Sequence, residues 1–338
     1  MKRKYIYFFG DGHAEGNASM KSLLGGKGAN LAEMTNLEIP VPPGFTITTE
    51  ACKAYYNNNK TFPAGLQIEI NKNLSRLEKL MGAKLGNPNN PLLVSVRSGA
   101  AASMPGMMDT VLNLGLTPES VEGLANNTKN ERFPWDAYRR FISMFGNVVM
   151  GMKHHDFEEI LEKWKKKHRV INDTELSTAQ LKNICNDFIA VYKKRTKTSF
   201  PLDPQEQLRK SIIAVFESWN NQRAIKYRQI YGIKGLLGTA VNIQAMVFGN
   251  RGDDSATGVC FTRNPSTGEN KFYGEFLINA QGEDVVAGIR TPQPIQNLQK
   301  RMPEAYKKLV AIRNNLEKHY KDLQDMEFTI QDKKLFIH

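Results

Sequence analysis

The sequence predicts an α+β protein. Three observations carry that expectation. Residues 1–116 alternate short apolar, strand-like runs with helix-like pieces. Residues 117 to 235 are patterned almost throughout at helical spacing. From residue 239 onward, apolar and polar residues alternate again as they do in half-buried strands.

The elements follow in order. Tyr5 to Phe9 is a brief apolar run before Gly-Asp-Gly, which reads as a strand and turn and not as a signal peptide. Pro40, Pro42, Pro43 and Gly44 lead into a strand at Phe45–Thr48. Thr49 then caps a helix containing Ala51, Ala54 and Tyr55. Ile68, Ile70, Leu74, Leu77, Leu80 and Met81 mark an amphipathic helix that ends at Gly82 or Gly86. Leu92, Leu93, Val94 and Val96 form a buried strand, and Val111, Leu112 and Leu114 a second apolar run.

Four helical stripes come next. They are Phe141/Ile142/Phe145/Val148/Val149, Phe157/Ile160/Leu161/Trp164, Leu181/Ile184/Cys185/Phe188/Ile189/Tyr192 and Leu208/Ile212/Val215/Phe216/Trp219. Such stripes read as core packing. Pro201 and Pro204 fall between the third and fourth and mark a boundary, so the earlier helices read as an insert and the last as a return to the first unit. Val241, Ile243, Ala245 and Val247 alternate with Asn242, Gln244, Met246 and Phe248. Gly258–Phe261 and Tyr273–Ile278 read as strands, and the second is followed by an NAQGED turn. Leu309, Ile312, Leu316 and Tyr320 mark a helix, and Met326–Ile337 has a hairpin pattern.

Bulk properties narrow the class. The 338 residues can form two or three units with cores of their own. Hydrophobic residues make 41% and charged residues 24%, as in ordinary globular proteins. The net charge is +12, but the basic residues are dispersed. The densest group, Lys163 to Arg169, lies on a helical pattern and reads as a solvated face. We therefore expect no nucleic-acid partner. A positive field suits a binder of anionic ligands. The three cysteines show no metal or redox spacing, which fits a reducing cytoplasm. No apolar run approaches the ~20 residues of a membrane helix.

Two segments have the composition of anion sites. In LLVSVRSGAAASMPGMM a strand hands Arg97 to a loop of small residues. Small side chains let the backbone approach an anion, and a guanidinium binds two oxygens at once. The same pattern fits a tight turn with a surface Arg. In GNASMKSLLGGKGANLAEM, Lys27 lies among Gly25, Gly26 and Gly28 before a helix start, where free amides and the helix dipole favour an anion. The GxxxxGK[ST] spacing is missing, so this is not a Walker A loop; a flexible loop with a solvated Lys also fits. Near the end, Asp325, Glu327 and Thr329 share one strand face, opposite Met326, Phe328 and Ile330. Paired carboxylates with hard oxygen donors suit Mg²⁺, although by pattern alone the pair reads as an ordinary polar sheet face.

The combination GNASMKSLLGGKGANLAEM, VPPGFTITTEAC, PLLVSVRSGAAASMPGMMDTVLNLGL, YRRF, TAVNIQAMVFGN, GVCFTRNPSTGE, GEFLINAQGEDVVAGIRTPQPI and QDMEFTI resembles the nucleotide-binding domain of the pyruvate phosphate dikinase family. These stretches cover nearly the whole chain in family order. The resemblance implies an ATP-grasp fold whose two lobes clamp ATP. The implied organisation is a first lobe at 1–116, a helical insert at 117–201, a return to the first lobe at 202–248 and a second lobe at 249–338.

The resemblance also implies roles. Lys27 and Arg97 match positions that contact ATP phosphates. Arg140 matches a basic position near the terminal phosphates, although by pattern Arg139 or Arg140 reads as a surface charge. Gly106, in the Met-Pro-Gly turn, and Gly258, as a loop glycine, match nucleotide-binding positions. Glu283 and Asp284 match acidic positions beside the phosphates. Gln244 and Met246 lie on the strand that passes the adenine pocket, and Asp325 and Glu327 match the Mg²⁺–nucleotide ligands. Lys27, Arg97 and Arg140 are the expected catalytic set. Ala101 stands where the family usually has an Arg.

The implied activity uses ATP, phosphate and Mg²⁺ to phosphorylate a carrier histidine, giving AMP and pyrophosphate, on the way from pyruvate to phosphoenolpyruvate. The expected partners are the phosphohistidine domain and pyruvate-binding barrel of a longer enzyme, and a homodimer of that enzyme. The family's Gln-x-Arg segment and those further domains have no counterpart in these 338 residues. A phosphoenolpyruvate synthase-like dikinase that uses water, or a non-catalytic ATP-binding module, is the alternative.

Overall fold

Strand runs far apart in sequence pair with one another in the computed structural model, which describes residues 3–286, 288 and 290–338. The chain divides into two units. One takes it as far as Asn36 and again over Pro43–Met246; the other takes Leu37–Pro42 and Val247–His338.

The first unit opens with β1 (Ile6–Gly10), β2 (His13–Ala14), α1 (Lys21–Asn36), β3 (Gly44–Ile47), α2 (Thr49–Asn57) and α3 (Leu66–Met81). A short parallel pair, β4 (Lys84–Leu85) and β5 (Pro91–Leu92), precedes β6 (Val94–Gly99) and β7 (Thr110–Leu114). Helices α4 (Pro118–Thr128), α5 (Arg132–Met144), α6 (His155–His168), α7 (Thr178–Thr196), α8 (Pro204–Ser218) and α9 (Gln222–Ile230) lead to β8 (Ala240–Ala245). Among the described residues the main sheet runs β2-β1-β3-β8-β6-β7, antiparallel at each neighbouring pair.

β8 is central, and all six of its residues are buried. Its two faces differ. Val96, Ile243 and Phe45 form one row across the sheet, on the apolar side. Arg97, Asn242 and Thr46 form the next row, on the opposite side. Helix α1 lies over that polar row, because Gly28 sits directly against Thr46 and Asn242. Helix α8 packs against β6 and β7. Around α6 and α7, rings interlock edge to face: Phe157 and Phe188 have centroids 5.0 Å apart, and Tyr192 and Phe200 5.2 Å.

Local details differ from the sequence expectation. Thr48, not Thr49, caps α2: its backbone is extended and its hydroxyl accepts from the Ala51 N–H at 3.2 Å. Thr49 instead donates its hydroxyl to the Ser22 carbonyl at 2.7 Å. The buried stripe of α3 is Leu66, Ile70, Leu74 and Leu77, while Ile68, Leu80 and Met81 are exposed. The i, i+4, i+8, i+11 set faces the core, and Ile68 falls on the far side. β8 stops at Ala245, short of the expected Phe248, and the Met246 N–H donates to the Leu93 carbonyl at 2.9 Å.

The second unit contains β9 (Ala256–Phe261), β10 (Tyr273–Ile278), α10 (Gly282–Val286), β11 (Gln293–Pro294), α11 (Leu298–Arg301), α12 (Pro303–Tyr320), β12 (Asp325–Gln331) and β13 (Lys334–Ile337). Among the described residues its sheet runs β11-β10-β9-β12-β13, again antiparallel. Leu37–Pro42 joins this unit, where the Ile337 N–H donates to the Pro40 carbonyl at 2.9 Å. The β12–β13 turn has φ of 49° at Asp332 and 65° at Lys333, the twist a two-residue hairpin needs. The expected NAQGED turn contains the short helix α10, whose start is capped by Asp284 Oδ2 accepting from the Gln281 N–H at 2.9 Å. Among the described residues no helix is long and apolar enough to cross a membrane.

Candidate functional site

The lysine segment is not a free loop. It lies within α1, which breaks at Gly25 (φ 69°, ψ 167°) and restarts at Gly26. The break puts Lys27 in the first turn of the second helical segment, where the helix dipole attracts anions. A side chain at Gly25 would place Cβ 1.9 Å from the Gly99 carbonyl oxygen. The positive φ and the close approach both require glycine.

Arg97 also differs from expectation. It does not open the loop, because β6 continues through Gly99. Arg97 pairs with Asn242 on β8 and Thr110 on β7, and is half-buried. The sheet thus fixes its backbone before the loop begins. The two segments meet: the Gly26 N–H donates to the Ala100 carbonyl at 2.8 Å, and a Cβ on Gly99 would lie 3.6 Å from Lys27 Cβ. The structure brings the Lys27 and Arg97 segments together without any sequence proximity.

The Met-Pro-Gly loop is tied down beside them. Met107 N–H donates to Met104 O at 3.1 Å, with Gly106 at φ 69° and open space where its Cβ would be. Arg223 Nε and Asn221 Nδ2 donate to the Met107 carbonyl at 3.2 and 3.1 Å, and Arg223 pairs with Asp109. Met104 and Ala100 pack with Trp219 and Ala224. Burial pushes the Asp109 carboxyl up, against the opposing pull of Arg223.

Arg139 and Arg140 are not surface charges. Both grip the buried Asp136, one turn earlier on α5: Arg139 Nη2 at 2.7 Å and Arg140 Nε at 3.1 Å. Arg139 also reaches Asp173 at 3.2 Å. Burial acts to raise the Asp136 carboxyl, but Arg139, Arg140 and Arg132 outweigh it and hold it well below the ordinary value. Helix α5 packs against β7, the neighbour of β6.

In the second unit, Asp325 and Glu327 are exposed on one face of β12, while Met326, Phe328 and Ile330 are buried on the other. Burial and then the Glu327 charge push the Asp325 carboxyl above its usual value. A divalent cation shared by the pair would relieve that repulsion, and the all-oxygen donor set fits a hard cation. Among the described residues no cluster of three or more His, Cys, Asp or Glu is arranged around a metal position.

Gly258 is not a loop glycine. It lies mid-strand in β9, where a Cβ would meet the Glu275 carbonyl at 2.5 Å and the Phe328 ring at 2.7 Å. Gln244 is buried in β8 opposite Ser95 and Gly44, and Met246 is half-buried just beyond the strand. Asp284 is occupied as a helix cap, and the side chain of Glu283 lies outside the described part of the structure. Sequence reading missed Asp136, whose i+3 and i+4 arginines were visible in the helix, and Asn242, which it read as one polar member of an alternating strand.

The family model for the pyruvate phosphate dikinase AMP/ATP-binding domain matches residues 21–63 and 59–307. The chain belongs to this family. Pyruvate, phosphate dikinase of Mesembryanthemum crystallinum, named as chloroplastic, is 59% identical over 334 residues, which cover 99% of this chain and 35% of that protein. Pyruvate, phosphate dikinase 1 of Arabidopsis thaliana, also named as chloroplastic, is 58% identical over 335 residues, with coverage of 99% and 35%. Pyruvate, phosphate dikinase 2 of Zea mays is 55% identical over 332 residues, with coverage of 98% and 38%. The chain spans 35–38% of the length of these pyruvate phosphate dikinases. The matched range takes in both glycine-flanked segments and Arg140; Asp325 and Glu327 lie beyond its last residue.

Proposed function

We propose that this chain binds Mg-ATP in the manner of ATP-grasp domains and serves the phosphorylation of a carrier histidine by ATP and phosphate. AMP and pyrophosphate would be the other products, and the phosphohistidine would serve phosphoenolpyruvate formation from pyruvate. The observation that carries the reading is the junction at Gly26 and Ala100, in a chain of the AMP/ATP-binding family. The helix-start lysine and the strand that carries Arg97 lie on adjoining backbone there.

Phosphoryl transfer needs positioning and charge stabilisation more than covalent chemistry. In this reading Lys27 and the amides of the restarted helix hold phosphate oxygens, and Arg97 grips them with its fork. The Gly99–Gly106 loop supplies close backbone. Arg140, oriented by Asp136, adds charge near the terminal phosphates. Asp325 and Glu327 are the carboxylates that would hold Mg²⁺; when bound, Mg²⁺ neutralises phosphate charge. Gln244 and Met246 flank the base. The carrier histidine, the pyruvate site and a homodimeric assembly belong to the longer enzyme in this proposal.

Titration calorimetry with ATP, with and without Mg²⁺, tests it. Binding that needs both components supports the reading. No heat with ATP at millimolar concentration, with the chain folded, overturns it.

A further inference from the structure

A carboxamide lies under the junction of the two segments. Asn242 is fully buried. Its Oδ1 accepts from the Thr46 hydroxyl at 2.8 Å. Its Nδ2 is buried and has no hydrogen-bond partner among the described residues. Buried donors are nearly always paired, so such a group calls for an explanation. A leucine of similar volume would fill the place with no polar group to desolvate.

The surroundings are shaped to this side chain. A Cβ on Gly28, in α1, would lie 2.9 Å from Asn242 Oδ1 and 2.8 Å from Thr46 Cγ2. A Cβ on Gly99, in β6, would lie 2.9 Å from Asn242 Nδ2, and its other neighbours would be at ordinary contact distances of 3.6 and 3.9 Å. The segments carrying Lys27 and Arg97 thus rest on opposite ends of one planar group. Asn242 is also the direct cross-strand partner of Arg97.

We infer that Asn242 is a positioning residue for phosphate binding: its carboxamide is the spacer that sets the Lys27 helix start against the Arg97 strand. The inference rests on the Mg-ATP reading above. The carboxamide lies between Gly28 and Gly99 while bonded to Thr46, so its size sets the spacing of the two segments. Its Nδ2 lies at the junction, against the Gly99 backbone. The amide is fully buried, so it acts through Lys27 and Arg97 and not on the phosphate itself.

A double-mutant cycle tests this, with affinities for Mg-ATP and for adenosine measured on the whole chain. Gly99→Ala drives a methyl into the carboxamide. We expect a loss of Mg-ATP affinity of about tenfold or more, with adenosine affinity unchanged within about twofold. Asn242→Ala should give a similar loss. Adding Gly99→Ala to Asn242→Ala should cost less than about twofold more, because the clash is gone. Asn242→Ser, which keeps an acceptor for Thr46, replaces Asn242→Ala if the latter does not fold. Wild-type affinity in the folded single variants, additive losses, or equal losses for ATP and adenosine would each overturn the positioning role. A wild-type chain that binds no Mg-ATP overturns the functional reading instead, and this role with it.

Discussion

The backbone N–H of Gly26 donates to the carbonyl of Ala100 at 2.8 Å, joining two segments separated by more than seventy residues. The bond exists because Gly25 turns the chain at φ 69° and leaves no Cβ in the path of the Gly99 carbonyl. Either property would be lost with any other residue.

Gly25→Ala should therefore be damaging on two counts. The new Cβ would lie 1.9 Å from Gly99 O, so the junction must open. We expect the melting temperature to fall by at least about 5 °C, and Mg-ATP binding to be lost. Thermal unfolding followed by circular dichroism, with calorimetry, checks both.

Arg97→Ala should separate binding from folding. Arg97 sits on the polar face of β6, away from the Val96–Ile243–Phe45 row that packs the core. Mg-ATP affinity should drop about tenfold or more, roughly 1.4 kcal/mol, while the melting temperature moves little. A large loss of stability with ATP affinity intact would remove Arg97 from the site.

Asp325→Asn with Glu327→Gln keeps side-chain size and removes both charges. The buried Met326, Phe328 and Ile330 are untouched, so the hairpin should stay folded. Nucleotide affinity should become insensitive to Mg²⁺. Measuring ATP binding across a Mg²⁺ titration decides this, and an unchanged Mg²⁺ dependence would leave the pair as a solvated sheet face.

Asp136 makes stability depend on acid. Its folded-state carboxyl is held below the ordinary value of 3.8, so the unfolded chain takes up its proton first as pH falls. The stabilisation is complete above that value and is lost progressively as pH drops below it. Asp136→Asn removes the buried carboxylate that Arg139 and Arg140 both grip and should cost about 3–5 kcal/mol at neutral pH. Denaturant unfolding at pH 7 and pH 3 should show the wild type losing more stability than the variant between the two.

Several candidate site residues were legible because their patterns are local. Gly25-Gly26-Lys27-Gly28 signals a helix start, and Asp325–Ile330 alternates with period two, so both were readable from a few neighbours. Arg139 and Arg140 misled, because charge suggested surface. Their burial depends on Asp136 and Asp173, and the second comes from a distant turn. Gly258 misled in the same way: its need for glycine comes from Phe328, seventy residues later, and not from a loop.

By itself the sequence determined the α+β class, the run of helices between two strand-rich regions and which segments are candidates for anion binding. Periodicity and glycine placement act over a few residues, and the pattern of stretches carried the family. Only the tertiary structure decided that Lys27 and Arg97 share one junction, that Asn242 lies beneath it, and that Leu37–Pro42 belongs with the second unit. Those outcomes are set by which strands pair across the chain. Cross-strand pairing depends on the fit of whole faces, which no local window of sequence contains.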